Sequence, residues 1–248
     1  MKILDENSQD PFEPIAIIGI GALLPDAGDV ETFWKNILKT HVSVKEVPDK
    51  RWEVSDFWVE GGPKNVAENK TYSKIGGWVE GFEFDWRRWK VPPGSLGQID
   101  LTQQWAVAVS AAALEDAGYM GDNSRNLPRE KTGVIFANAL GGENRNLSNH
   151  RVWADHFARH AIEAGGMPPD GAEAFKQAIT EGLPKVTEDT MPGELANVVS
   201  GRVANLLDLQ GPNYSTDAAC ASTFAAVLDA CRLLQNRQVD MMVAGASD

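Results

Sequence analysis

The chain has 248 residues, of which 43% are hydrophobic and 23% charged, and its formal net charge is −12. This composition is typical of a globular protein with a sizeable core, and the acidity makes nucleic acid an unsuitable partner. No apolar run approaches the roughly 20 residues that span a bilayer, so we expect no membrane association. Cys220 and Cys231 lie too far apart on one predicted helix to form a disulfide. We therefore expect a cytoplasmic protein with reduced thiols.

The first predicted strand lies close to the N-terminus. Residues 1–13 are polar, lack the apolar core of a signal peptide, and are predicted to be a disordered lead-in. Pro14–Gly21 is a continuous apolar run, which is typical of a strand buried on both faces. Its glycines lack the third glycine of a dinucleotide-binding motif, so a nucleotide site is disfavoured. A helix with one apolar face follows over Val30–Leu38, capped by Asp29.

Residues 40–97 form a long, irregular and tryptophan-rich stretch. A stretch of this length is usually a functional excursion, but we favour a satellite cluster of aromatic side chains packed over the sheet edge. Arg87, Arg88 and Lys90 form a compact basic group in this acidic chain. Most such groups are simply solvated, and the alternative is that they attract an acidic partner.

The middle of the chain alternates helix, strand and helix. Asp100 and Gln103 predict a capped helix that Gly118 ends, and Thr132–Asn138 predicts a strand. Residues 139–192 are predicted to be an insertion, a loop followed by a helical region.

Three side chains of that insertion have the spacing of metal ligands, namely His156, His160 and Glu163. No other ligand cluster accompanies them. A polar stripe on the surface of a helix is therefore the favoured interpretation, and we expect no metal site.

Cys220 is the candidate nucleophile. A helix is predicted over Gly193–Leu207 and a short strand over residues 213–216, and an alanine-rich helix then begins close to Cys220. The N-terminus of a helix stabilises a negative charge, and the thiolate is the reactive form of cysteine. The competing interpretation is a small buried apolar residue, since free cysteines are commonly buried.

The order of elements predicts an α/β fold with a mainly parallel sheet, completed by a last strand over Val239–Ala244. The helix after Cys220 is apolar on nearly all sides, which is typical of a helix covered on both faces. The chain offers no element to cover one of these faces. We therefore expect the sequence to be incomplete as a folding unit.

The chain resembles β-ketoacyl synthases, the condensing enzymes of fatty-acid and polyketide synthesis. The active-site resemblance is carried by GPNYSTDAACASTFAAVLDACRLL and DMMVAGASD. Similarity to modular synthases is carried by PIAIIGIGALLPDAGDVETFWKNIL and VPPGSLGQIDLTQQWAVAVSAAALEDAG. The segment MPGELANVVSGRVANLLDLQGPN is similar to the ketosynthases of polyunsaturated-fatty-acid synthases. The resemblance covers essentially the whole chain in the right order.

This resemblance implies a thiolase-like fold with αβαβα layers, of which residues 14–248 form the N-terminal half. It implies that Cys220 accepts the acyl chain as a thioester and that its backbone N–H belongs to the oxyanion hole. The neighbours expected to support Cys220 or line an acyl pocket are Ala219, Ala221, Ser222 and Phe224. It further implies a homodimer, a C-terminal half, and an acyl carrier protein that delivers substrates on phosphopantetheine, with no bound cofactor. The basic group around Arg87 is a candidate docking site for that carrier.

The implied reaction is a decarboxylative Claisen condensation with a malonyl thioester. In the family, two histidines and a lysine downstream of the cysteine assist it, and residues 221–248 contain neither residue type. We therefore expect the isolated chain to be inactive. The alternative is a non-catalytic partner, such as a chain-length factor or a scaffold half, although such proteins usually lack the cysteine. A thiolase is disfavoured because its nucleophile comes much earlier in the chain.

Overall fold

The computed structural model describes residues 13–63 and 69–247, which form two compact units. The smaller unit is Ile20–Glu83, and the larger combines the residues up to Gly19 with those from Phe84 onward. Except for Glu13, the predicted lead-in lies outside the described residues.

The described residues of the smaller unit form two short helices and one strand pair. Its elements are α1 (Val30–Leu38), β1 (Val44–Glu46), α2 (Val54–Phe57) and β2 (Ile75–Gly77), with β1 and β2 antiparallel. Asp29 caps α1 as predicted, since its Oδ1 accepts a hydrogen bond from the Thr32 N–H at 2.7 Å. A second carboxylate, Asp26, accepts hydrogen bonds from His41 at 2.9 Å and from Lys45 at 2.5 Å.

The larger unit is built around a parallel sheet with the strand order β4-β3-β5. Its elements are α3 (Pro93–Leu96), α4 (Leu101–Asp116), β3 (Thr132–Ala137), α5 (Asn144–Glu163), α6 (Ala172–Thr180), α7 (Thr190–Glu194), α8 (Val198–Leu206), β4 (Asn213–Thr216), α9 (Ser222–Gln235) and β5 (Met241–Ala246). Every residue of the central strand β3 is buried. The predicted parallel α/β architecture is confirmed.

Helices cover both faces of this sheet. Ile135 and Ala137 of β3 form a core cluster with Ala226 and Ala230 of α9. Ser215 is the register partner of Phe136 and therefore faces the other side. There the Ser215 hydroxyl lies 3.1 Å from the Ser200 hydroxyl of α8, and α4 packs against α8 on that side. The result is a layer of helices on each side of one sheet.

The predicted N-terminal strand is not present in the structure. Residues 13–23 belong to no strand, and Ile17 is 84% exposed. Gly19 instead lies against α4 so closely that an added Cβ would lie 2.2 Å from the Ala113 carbonyl oxygen. The expectation of a strand buried on both faces was wrong because an apolar run becomes a strand only where neighbouring strands complete its hydrogen bonds.

Helix α9 is buried on one face only. Ala226 and Ala230 pack against the sheet, whereas Phe224, Val227 and Leu228 are exposed, Phe224 to 78%. The face that carries these three side chains is therefore uncovered in the part of the chain that the structure describes. Among the described residues, no helix is long and apolar enough to cross a membrane.

Candidate functional site

The carboxyl ends of the three parallel strands meet at one edge of the sheet, and hydrogen bonds tie the loops there together. The Asn138 N–H donates to the Thr216 carbonyl at 3.2 Å, and the Asn138 Nδ2 donates to the Ser247 carbonyl at 2.6 Å. The Ser247 N–H in turn donates to the Ala137 carbonyl at 3.0 Å. This carboxyl edge is where α/β sheets place their ligands.

A buried carboxylate at the same edge links two helices to this network. Asp100 accepts hydrogen bonds from the N–H groups of Thr102 and Asn144, each at 2.8 Å. The Ser247 hydroxyl donates to the Thr102 carbonyl at 3.1 Å. The sequence identified Asp100 only as a helix cap and missed Asn138 and Ser247. A polar residue directly after a buried strand was the available signal for Asn138.

Cys220 lies between β4 and α9, at the carboxyl end of β4, as the sequence predicted. It occupies the centre of a 3-10 turn, Ala219–Ala221, that leads directly into α9. Its side chain is exposed, whereas Cys231 is half-buried. The Cys220 backbone N–H has no hydrogen-bond partner within the part of the chain that the structure describes. The segment therefore presents an accessible thiol beside a free hydrogen-bond donor.

Two side chains hold the backbone immediately before Cys220. Asp217 Oδ1 accepts a hydrogen bond from the Ala219 N–H at 2.8 Å. The Ser222 hydroxyl accepts one from the Ala218 N–H at 2.8 Å and donates one to the Ala219 carbonyl at 2.6 Å. Ala219 has a positive φ of 49°, a conformation that costs an L-residue roughly 1–2 kcal/mol. The hydrogen bonds compensate for this local strain.

The remaining residues predicted around Cys220 fall into two groups. Ser222 is buried, and its hydroxyl is hydrogen-bonded to the backbone of the residues just before Cys220, which stabilises that segment. Ala219, Ala221 and Phe224 are exposed. The side chains that flank Cys220 in the chain are therefore accessible and small or apolar.

The histidines are remote from Cys220 in the chain and form no metal cluster. Three of the four lie on α5, where His156 contacts Arg159 and His160 lies 3.3 Å from Glu163. The search of the described residues finds no group of three or more potential ligands that could hold a metal ion.

The basic group lies at the far end of α4 from the sheet edge that carries the candidate site. Arg88 forms an ion pair with Glu115 in the last turn of α4, whereas the network at the edge meets α4 at Thr102. The 16 residues of α4 span about 24 Å at about 1.5 Å per residue. Arg87 and Lys90 are exposed, and the Arg87 guanidinium lies over the Trp86 ring at 4.3 Å.

Comparison with known proteins places these features in a family. A family model described as Beta-ketoacyl synthase, N-terminal domain, matches residues 12–248. A polyunsaturated fatty acid synthase protein of Thraustochytrium sp. is 28% identical over 245 residues, which are 98% of this chain and 8% of that protein. The chain thus spans less than a tenth of this relative's length.

Two solved structures share the fold. The oxazolomycin ketosynthase domain OzmH KS7 of Streptomyces albus matches with a TM-score of 0.67 and 24% identity, over 94% of this chain and 34% of that chain. The PfaC Keto synthase-Chain length factor matches with a TM-score of 0.73 and 23% identity, over 93% of this chain and 24% of that chain.

Proposed function

The chain belongs to the β-ketoacyl synthase family through its N-terminal domain, and from this premise we propose that Cys220 accepts an acyl group from a carrier thioester. The larger enzyme that contains the chain would then elongate a fatty-acid or polyketide chain in the cytoplasm. The supporting observation is the exposed Cys220 thiol, which lies beside its own unpaired backbone N–H at the carboxyl edge of the sheet.

The first step is thioester exchange. The Cys220 thiolate attacks the carbonyl carbon of the acyl thioester, and the carbonyl oxygen becomes an oxyanion. The Cys220 N–H donates a hydrogen bond to that oxyanion, and such donors act where negative charge develops. The carbon–sulfur bond to the carrier then breaks, so that the acyl group remains on Cys220 and the carrier thiolate takes up the proton that Cys220 lost. The open alanine-lined surface leaves room for the tetrahedral intermediate.

The second step forms a carbon–carbon bond. A malonyl thioester loses carbon dioxide, and the resulting carbanion attacks the acyl-Cys220 carbonyl and releases the Cys220 thiolate. In the family, histidines downstream of the cysteine assist this step, and residues 221–248 contain no histidine or lysine. We propose that a C-terminal half of the domain supplies them, and that the 248-residue chain alone does not condense.

Partners are proposed for the open surfaces of the larger unit. The exposed apolar face of α9 and the edge strand β4, which pairs only with β3 among the described strands, both suit contact with further protein. We propose the C-terminal half of the domain and a second copy of the enzyme as the proteins that cover them. An acyl carrier protein brings substrates on phosphopantetheine, with Arg87 and Lys90 as its candidate docking residues.

Acyl loading is the direct test. The intact enzyme that contains this chain is incubated with an acyl carrier thioester, digested, and analysed by mass spectrometry for a thioester on the Cys220 peptide. We expect loading in the wild type and in Cys231→Ala, and none in Cys220→Ala. Loading that persists in Cys220→Ala would refute the assignment.

A non-catalytic role is the second candidate, because one structural relative is a ketosynthase paired with a chain-length factor. In that role the chain would shape the acyl cavity of a partner. An acyl-mimicking electrophile distinguishes the two, since selective modification of Cys220 over Cys231 supports the enzyme. Equal or absent labelling supports the non-catalytic role.

A further inference from the structure

We propose that Ser222, together with Asp217, orients the Cys220 N–H toward the oxyanion and thus acts as a positioning residue for acyl transfer. This inference rests on the proposed function of Cys220. The inference goes beyond the proposed function because it gives a role to two side chains that need not touch the substrate. Asp217 is exposed beside the turn, and Ser222 lies buried beneath it.

The argument starts from one peptide unit. The Ala219 carbonyl and the Cys220 N–H belong to the same planar group, and in a trans peptide they point in opposite directions. The Ser222 hydroxyl donates to the Ala219 carbonyl at 2.6 Å, and the Ser222 backbone N–H donates to the same oxygen. Two donors below the turn therefore fix the plane, and the Cys220 N–H must point away from them.

The other side of the turn is held as firmly. Asp217 Oδ1 accepts from the Ala219 N–H at 2.8 Å, and the Ser222 hydroxyl also accepts from the Ala218 N–H at 2.8 Å. These bonds hold Ala219 at its positive φ of 49°. Relaxation of that residue to negative φ would rotate the following peptide plane and turn the Cys220 N–H away. The bonds to the carbonyl also polarise the N–H of the same peptide, because hydrogen bonds in a chain strengthen one another.

Two reactions of Cys220 distinguish a positioning role of Ser222 and Asp217 from a purely structural role. Acyl transfer creates an oxyanion, whereas alkylation by iodoacetamide displaces iodide at a saturated carbon and creates none. Loss of an oxyanion donor lowers acyl transfer by about 100-fold to 1,000-fold. If the donor is only loosened, the rate of acyl transfer should fall by about 10-fold to 100-fold. The rate of alkylation should stay within about 3-fold of the wild-type rate, because the thiol remains exposed.

The experiment compares both rates in the intact enzyme for Ser222→Ala and Asp217→Ala. Ser222→Thr and Asp217→Asn keep the bonding oxygen and should restore acyl loading. Thr223→Ala, next to Ser222 at the start of α9, is the control for the loss of an exposed hydroxyl. Unchanged loading in both alanine variants would overturn the inference, as would an equal loss of loading and alkylation. If the wild type is alkylated at Cys220 but never acylated, the proposed function itself has failed.

Discussion

Asp100 and Asn144 join the first turns of two helices through a single buried carboxylate. Asp100 Oδ1 accepts the Thr102 N–H of α4, and its Oδ2 accepts the Asn144 N–H of α5, each at 2.8 Å. Asp100 is only 2% exposed. Each helix N-terminus carries unpaired N–H groups and a partial positive charge, so one carboxylate satisfies both. This junction anchors the helical insertion to the sheet edge near Cys220.

Removal of this carboxylate should destabilise the larger unit. We expect Asp100→Ala to lower the free energy of unfolding by about 2–4 kcal/mol, because it removes a helix cap and leaves buried donors unpaired. Asp100→Asn keeps one acceptor oxygen and should therefore lower the free energy of unfolding by less. Chemical denaturation measures both, with the exposed Asp240→Ala as a control. A loss for Asp100→Ala no larger than for Asp240→Ala would contradict the role of the junction.

The glycine that faces this carboxylate should tolerate no side chain. Gly142 has a φ of 93°, and an added Cβ would lie 1.9 Å from Asp100 Oδ1. We expect Gly142→Ala to destabilise the protein by about 1–3 kcal/mol through overpacking and strain. Gly94→Ala is the matched control, since nothing lies within 4 Å of its added Cβ. Thermal unfolding should show a lower Tm for Gly142→Ala alone.

Substitution of Ala219, the strained residue before Cys220, by glycine or by valine should change the stability of the protein in different ways. Glycine adopts positive φ readily, so Ala219→Gly should be neutral or stabilising by up to about 1 kcal/mol. Ala219→Val should destabilise by about 1–3 kcal/mol, because a β-branched residue fits positive φ poorly. Ala246→Val at the exposed end of β5 is the control, since valine suits a strand. Equal stability of the two Ala219 variants would contradict the strained conformation.

Acid should weaken the smaller unit through Asp26. Hydrogen bonds from Lys45 and then His41 hold the pKa of Asp26 below its ordinary value of 3.8. The stability that this carboxylate contributes is present above that value and is lost as the pH falls through the lower folded-state pKa. Hydrogen-exchange protection of the β1 and β2 amides, corrected for the slower intrinsic exchange at low pH, should therefore fall on acidification by less in Asp26→Asn than in the wild type. An identical acid response in both would contradict this coupling.

Charge reversal tests the proposed carrier docking site. Arg87 and Lys90 are exposed, whereas Arg88 is engaged by Glu115. We expect Arg87→Glu with Lys90→Glu to weaken carrier binding at low ionic strength, and added salt to reduce the difference because it screens surface charges. Lys39→Glu is the control for an exposed lysine elsewhere. Carrier affinity unchanged by the double reversal would rule out this site.

Local patterns in the sequence predicted the local features correctly. The cap at Asp29, the strand that begins at Thr132 and the position of Cys220 before α9 all depend on residues within a few positions of each other. Pro14–Gly21 shows where this fails. Its apolar run was sufficient to suggest a strand, but the neighbouring strand that completes a strand's hydrogen bonds is a non-local property, and these residues belong to no strand.

The sequence by itself determined the parallel α/β architecture and the family, and it identified Cys220 as the candidate nucleophile, because these follow from short-range hydrophobic patterns and a motif around Cys220. Only the tertiary structure decided which hydrogen bonds hold the segment around that cysteine. The bonds that join Asp100 to Asn144, and Asn138 to Ser247, link positions far apart in the chain. The plane of the peptide before Cys220 depends on the conformation of Ala219 and on the direction of the Ser222 hydroxyl, and a pattern of residue types records neither.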